Sequence, residues 1–287
     1  ALTETTVLGP GPAAVPPSGP LESDGKGGGV SVLTKGAATL EGVAVIGGWS
    51  FGVGTEGGTL AMRRSLVDAT RAARGGEPSA GYATGLTVNR AGRATVEDAT
   101  VSRSSASGVV VGRASTLSGS RLLVRDVVEG VKASSGAGLS VGESGRVDLE
   151  ASAVEAATGT GVIVTSGANT RLRLADSVIR GTRPARDGYG HGATARLAVT
   201  MLFERTAVID NPGIGVAVDA ASALLSGAVL ARNGVGVHAQ GGSFLSEAAS
   251  TEELGEGELR VTPDTRLFDN GARVGTGEVP LPEPLEP

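Results

Sequence analysis

One short unit, glycine followed by apolar-x-apolar, returns along most of this chain, and self-similarity of that kind constrains a fold more tightly than any single motif. It reads Gly29-Val-Ser-Val, Gly52-Val-Gly-Thr, Gly85-Leu-Thr-Val, Gly108-Val-Val-Val, Gly138-Leu-Ser-Val, Gly161-Val-Ile-Val, Gly192-Ala-Thr-Ala, Gly215-Val-Ala-Val and Gly236-Val-His-Ala. The glycines lie 23, 33, 23, 30, 23, 31, 23 and 21 residues apart. Each unit holds a second apolar run, as in Ala94-Thr-Val, Val147-Asp-Leu, Leu172-Arg-Leu and Leu224-Leu, then a third around Val101, Val154, Ile179 and Leu230. Three short strands per 21 to 23 residues is the size of one coil of a parallel β-helix.

Composition agrees with many short strands and tight turns. Gly accounts for 47 of 287 residues while aromatic residues make only 2%, so the core must be built from Val, Leu, Ala and Ile. Glycine lacks the strict third-position period of collagen, and the Val-rich runs are foreign to disordered chains. A helical solenoid would need ten-residue amphipathic runs poor in glycine, which are absent. There is no cysteine, which removes disulfides and thiol chemistry, and a net charge of -5 argues against nucleic acid as a partner. No run of 18 apolar residues is present to span a bilayer.

Alternation within the strands puts Leu86 and Val88, Val109 and Val111, Leu139 and Val141, and Val162 and Val164 on one face, so stacked coils would form interior ladders. Short and long intervals alternate, making a double unit of about 54 residues in which every second coil carries an inserted loop. The loops fall at 71–82, 128–136, 180–190 and, with different phase, 247–258, and are expected to project from one side. The expected organisation is an irregular N-terminal cap over 1–28, a parallel β-helix over 29–275, and a Pro-rich C-terminal tail over 276–287.

From residue 29 to about 275, units such as Gly161-Val-Ile-Val and Arg171-Leu-Arg-Leu-Ala-Asp-Ser-Val-Ile resemble the coils of the right-handed parallel β-helix, or pectin-lyase-like, superfamily. The resemblance implies an all-β, right-handed parallel β-helix solenoid of about nine to ten coils, with loops on alternate coils. That family includes pectate lyases, polygalacturonases, phage tailspikes and bacterial surface adhesins, so the fold leaves the chemistry open. Asn211, Asn233 and Asn270, each followed by Pro or Gly, resemble its turn asparagines, for which a left-handed backbone is the expected reason.

Several segments are candidate sites. Gly52-Val-Gly-Thr-Glu-Gly57 matches the dinucleotide fingerprint but would need a helix over 60–74, where strand-like units stand instead, so its glycines read as coil turns. Gly190-His191-Gly192 resembles the Gly-His-Gly of polygalacturonases, yet Asn169-Thr-Arg171 has arginine where their acid stands, and a paired aspartate is missing. Hydrolysis needs two carboxylates flanking the bond, and only Asp187 lies near His191 in sequence. Aligning the coils puts Arg64, Asp98, Arg121, Ala151, Asp176 and Arg205 in one column, pairing Asp98 with Arg121 and Asp176 with Arg205; such a ladder avoids like-charge repulsion or, in a lyase, supplies an acid and a base. If the chain is an enzyme, Asp98, Asp176, Asp187 and His191 are its catalytic candidates.

The loops carry Arg71, Arg74 and Tyr82 in one coil pair, Lys132 in the next, and Arg183, Arg186 and Tyr189 in the third. Arginine forks onto carboxylate or sulfate, so these seven residues are the candidate ligand-binding set. Arg outnumbers Lys 22 to 3 throughout, which is also how such loops collect arginine by default. Trp49, Phe51, Phe203, Phe244 and Phe268 read as core or cap residues. His238 sits in an outward slot without a partner in sequence and is no metal site. The reading is a non-enzymatic extracellular or cell-surface module, structural or adhesive, engaging an anionic polysaccharide or a surface protein through its loop face. No cofactor or membrane span is expected. The alternative is a polysaccharide lyase or glycosidase, under which alone calcium would enter.

Overall fold

The computed structural model describes residues 2–3, 6–8, 29–72, 83–130, 136–167, 169–186, 188, 190–249, 253–275 and 277–281. Arg74, Tyr82, Lys132, Asp187 and Tyr189 lie outside them, as does most of the expected N-terminal cap. The described strands form three sheets of 11, 10 and 10 strands, with every pairing parallel and each strand bonded to its counterpart in the neighbouring coil. This is an all-β right-handed parallel β-helix, the architecture expected from the repeat. The second apolar run of each unit lies in the first sheet, the third run in the second, and the glycine-led run in the third.

Register is kept residue by residue. Leu86 pairs with Val109, Val109 with Leu139, Leu139 with Val162, Val162 with Ala193 and Ala193 with Val216. All of these side chains are at most 1% exposed and belong to one continuous core. The degenerate unit Gly192-Ala-Thr-Ala keeps its place because volume is conserved around the coil. Ala193 and Ala195 face inward where most other coils carry Val or Leu, and the following strand carries the larger Met201 and Phe203, both fully buried, as volume conservation requires.

The recurring glycine has a steric cause. A Cβ at Gly138 would lie 2.3 Å from Val154 Cγ1 and 2.6 Å from the carbonyl oxygen of Gly161 on the next coil. The same two clashes, with the central residue of the second sheet and with the glycine carbonyl one coil on, arise at Gly52, Gly85, Gly108, Gly161 and Gly192. Gly52 is therefore a member of this column, lying in the strand Phe51–Glu56 and followed by the strands Thr59–Arg63 and Leu66–Asp68 in place of a helix. Gly57 turns the chain with φ +70°.

The corners are equally repetitive. Between the first and second sheets one left-handed residue per coil turns the chain, and Arg64, Asp98, Arg121, Ala151, Asp176 and Arg205 have φ between +48° and +54°. Each strained turn is stabilised by a bond to the adjacent coil, as when the Arg64 amide donates to the Glu97 carbonyl at 2.9 Å. At the next corner the left-handed residues are Asp210, Arg232 and Asp269, one position before the asparagines, which corrects the expected role of Asn211, Asn233 and Asn270. Their side chains stack inside instead: Asn211 Nδ2 donates to Asn233 Oδ1 at 2.9 Å, and Asn233 Nδ2 donates to Asn270 Oδ1 at 3.1 Å. These ladders satisfy buried corner amides that a dry interior would otherwise leave unpaired.

Three of the four long loops leave from this same corner, just after the bridges that join Trp49 to Arg71, Ser105 to Val128 and Thr158 to Arg183. The fourth does not share their side, because residues 247–258 join two strands of the first sheet. Phe244–Glu247 is the outermost strand, and the chain doubles back so that Glu258–Val261 inserts between it and Ser222–Ser226. Doubling back closes that sheet with a strand taken out of sequence order.

Gly138→Ala is expected to destabilise the solenoid by ~1–3 kcal/mol or more through overpacking. Gly181→Ala, at φ +64° with open space around the Cβ position, should cost only the left-handed strain of ~1–2 kcal/mol. Urea midpoints of the two variants measure the difference.

Candidate functional site

The outer face of the first sheet carries three outward columns of side chains. Its third positions include Asp148, Arg173 and Leu202, and its fifth Glu150, Ala175 and Glu204, all in register. Arg173 bridges both neighbours: Nη1 reaches Asp148 Oδ1 at 2.9 Å, while Nε and Nη2 fork onto Glu204 at 3.0 and 2.6 Å. The guanidinium holds the Glu204 carboxyl below its ordinary range despite partial burial, so the charges of this part of the face are paired with one another.

The first column is different. It runs Arg93, Thr116, Arg146, Arg171, Thr200 and Ser222, one residue per coil. Arg146 and Arg171 are direct register partners, one strand spacing of ~4.8 Å apart, and both are exposed. Neither has a carboxylate partner among the described residues, and neither does Arg93 two coils below Arg146. Like charges placed directly opposite on paired strands repel, so the fold itself gains nothing from this adjacency. The two arginines line a hollow of about 600 Å³ together with Thr116, Asn169 and Thr200. A second hollow, of about 650 Å³, shares Arg171 and Thr200 and continues over Leu202 and Leu224 to Glu253 and Leu254.

The loop that doubles back walls off that far end. Arg260 Nε and Nη2 fork onto Glu258 at 2.8 and 2.7 Å, and the Gly255 amide donates to Glu258 Oε2 at 2.7 Å. Ser222 Oγ donates to the Gly255 carbonyl at 2.9 Å, tying the loop to the sheet. Arg260 above all, then Ser246 and the Gly255 amide, lower the Glu258 pKa to about 2.

Of the residues expected from sequence, Asp98 and Asp176 occupy the column assigned to them. Arg121 Nη2 reaches Asp98 Oδ2 at 3.0 Å, and Arg205 holds Asp176 with two bonds of 2.7 and 2.6 Å. Each arginine lowers its partner's pKa, so both carboxylates are ionised at neutral pH and neither is suited to donate a proton. Three strand spacings separate them, ~14 Å, beyond the ~5–9.5 Å between paired carboxyls of glycosidases. His191 lies on the third sheet, buried, with Nδ1 accepting from the Ile214 amide at 2.9 Å. These residues are not brought together.

The loop arginines are partly engaged. Arg183 Nη2 reaches Asp126 at 3.2 Å, and Arg186 meets Glu129 through Nε at 3.0 Å and through its own amide at 2.6 Å. Successive long loops thus touch across the short coil between them. Arg71 is exposed at the start of its loop, its amide bonded to the Gly48 carbonyl at 2.8 Å. The Arg93, Arg146 and Arg171 column was missed by sequence reasoning. Its signal was the residue immediately before each second apolar run, where three of the six coils from Arg93 to Ser222 carry arginine.

Fold and site define a parallel β-helix with a cationic hollow on one sheet face. No family model matches the chain, and no curated protein matches it. Among solved structures, pectate lyase Pel9A aligns at 13% identity and a TM-score of 0.42, covering 86% of this chain and 55% of the lyase. This chain therefore spans about half the length of that enzyme. HetL, a pentapeptide repeat protein from the cyanobacterium Nostoc, aligns at 12% identity and a TM-score of 0.25, over 88% of this chain and 92% of its own. Neither likeness bears on chemistry; the solenoid is read from the chain's own strand pairing.

Because the folded pKa of Glu258 lies below the ordinary value of ~4.3, its contribution is complete above that value and is lost as pH falls toward 2. Glu258→Gln should therefore be less stable than the parent at pH 6 and converge with it near pH 2. Urea unfolding followed across that range checks the convergence.

Proposed function

We propose that this chain is a non-enzymatic extracellular or cell-surface module, structural or adhesive, that holds an anionic polysaccharide on the outer face of its first sheet. The observation that carries this reading is the adjacent pair Arg146 and Arg171, exposed and without a carboxylate partner among the described residues, in a hollow whose one carboxylate, Asp148, is held by Arg173. A carboxylate or sulfate between the two guanidinium groups replaces repulsion with charge-assisted hydrogen bonds. Thr116, Thr200 and Asn169 add neutral donors and acceptors of the kind sugar hydroxyls need. Two hollows joined through Arg171 and Thr200 suit an extended chain better than a compact ligand.

The loop corner is the second place for such binding, through Arg71 in particular; Arg183 and Arg186 would have to leave Asp126 and Glu129 to take part. A lyase or glycosidase is less well supported, since Asp98 and Asp176 stand apart in their own ion pairs.

Retention on immobilised polyuronate and sulfated polysaccharide, with and without calcium, tests the proposal. The expected result is salt-sensitive retention that falls at least tenfold in Arg146→Ala/Arg171→Ala, with the circular dichroism spectrum unchanged. Loss on Arg71→Ala instead would move the site to the loop corner. Release of new chain ends by the purified protein would overturn the non-enzymatic reading.

A further inference from the structure

Strand alternation aims Ile163, Thr194, Ala217 and His238 outward from the third sheet, in one register column. They should be exposed, yet none is more than 1% exposed. On earlier coils of the same column Thr87 and Val110 are half-buried and Ser140 is 6% exposed, so the column becomes more covered toward the C-terminal coils. Part of the cover is visible: residues 277–281 leave the last strand and run back along this face. Val279 and Leu281 form a small apolar cluster with Ile214, Ala217 and Val235, separate from the main core.

The contacts are those of peptide recognition. Gln240 acts as a strand edge for a single residue, its Oε1 accepting from the Val279 amide at 2.9 Å and its Nε2 donating to the Val279 carbonyl at 3.0 Å. His238 Nε2 lies 3.0 Å from the same Gln240 Oε1 and holds the amide in that orientation. Two residues on, Leu281 buries its side chain to 7% exposure, and its carbonyl accepts from Arg196 Nη1 at 3.4 Å. Pro280 between them has no amide to satisfy and fixes an extended backbone. Further along the floor, the Thr194 hydroxyl is fully buried without a hydrogen-bond partner among the described residues.

We infer that the outer face of the third sheet is a docking groove for extended peptide segments of the apolar-Pro-apolar type, occupied in cis by the chain's own Val279-Pro280-Leu281. Backbone pairing through Gln240 supplies affinity, and the pocket for Leu281 supplies selectivity, the division of labour found when extended peptides add to sheet edges. The occupant is tethered, so it competes at an effective concentration in the millimolar range and keeps the groove closed to weak ligands. A partner gains the site by presenting a better segment of the same chemistry or by drawing the tail away.

The test uses a fluorescein-labelled peptide with the sequence of residues 277–287 and three forms of the protein. It is expected to bind a chain ending at Gly275 at least tenfold more tightly than the full chain, and to lose that binding in the same truncated chain carrying Gln240→Ala. Should the truncated chain fail to fold, full-length Leu281→Asp opens the groove and is expected to bind the peptide in its place. A full chain that dimerises with concentration, and stops doing so with Leu281→Asp, would show the groove taking the tail of a second copy and supports the same site. No peptide binding to a folded open form, or binding undiminished by Gln240→Ala, would overturn the inference.

Discussion

Everything in this solenoid depends on one close approach, repeated at the corner where the second sheet gives way to the third. There the backbone of one coil passes beneath the central side chain of the second sheet, Val67, Val101, Val124, Val154, Ile179 or Val208, and against the glycine carbonyl of the next coil. No Cβ fits in that space. The contact fixes the angle between the sheets and the cross-section of the core, and every coil must keep it to remain stacked. Insertions are accordingly displaced to the stretch just before the glycine, where the chain can leave the corner and return without disturbing the column.

A second consequence of stacking is that every surface residue acquires neighbours one coil above and below. On most of the surface the sequence uses this to pair charge with countercharge, as in Arg121 with Asp98, Arg205 with Asp176 and Arg232 with Asp210. Individually such exposed pairs contribute little, ~0.2–1 kcal/mol, and their larger effect is to prevent like charges from stacking. The Arg146 and Arg171 adjacency breaks that pattern. Two cations set side by side in a hollow, as direct register partners, are a constraint that folding does not require.

The ends impose a different problem, because a stacked sheet has an open edge wherever the repeat stops. Here two segments double back. After the strand Phe244–Glu247 the chain returns to insert Glu258–Val261 beneath it, leaving a short outer strand in which Phe244 is 52% exposed. Residues 277–281 run back over the third sheet and cover Ala217, which alternation points to solvent, together with Ile214 and Val235. Both segments also border candidate sites, one walling the second hollow, which adjoins the cationic one through Arg171 and Thr200, and the other filling a groove. Termination and recognition are thus built from the same pieces of chain.

The sequence by itself determined the repeat, the inward ladders of Leu86, Val109, Leu139 and Val162, the corner at which three loops emerge, and the column that pairs Asp98 with Arg121. All of these follow from local spacing, because a neighbour in space is a neighbour at one period along the chain. Tertiary structure decided what lies outside the period. It showed that the loop at 247–258 belongs to another sheet, that the asparagines stack inward while the residue before each takes the left-handed turn, and that His238 is buried and bonded to the Gln240 that holds the tail. It also decided which arginines are left without a carboxylate. A guanidinium on a long side chain can reach acids one coil away or, as Arg183 and Arg186 do, two coils away across a short corner, and only the folded arrangement selects among them.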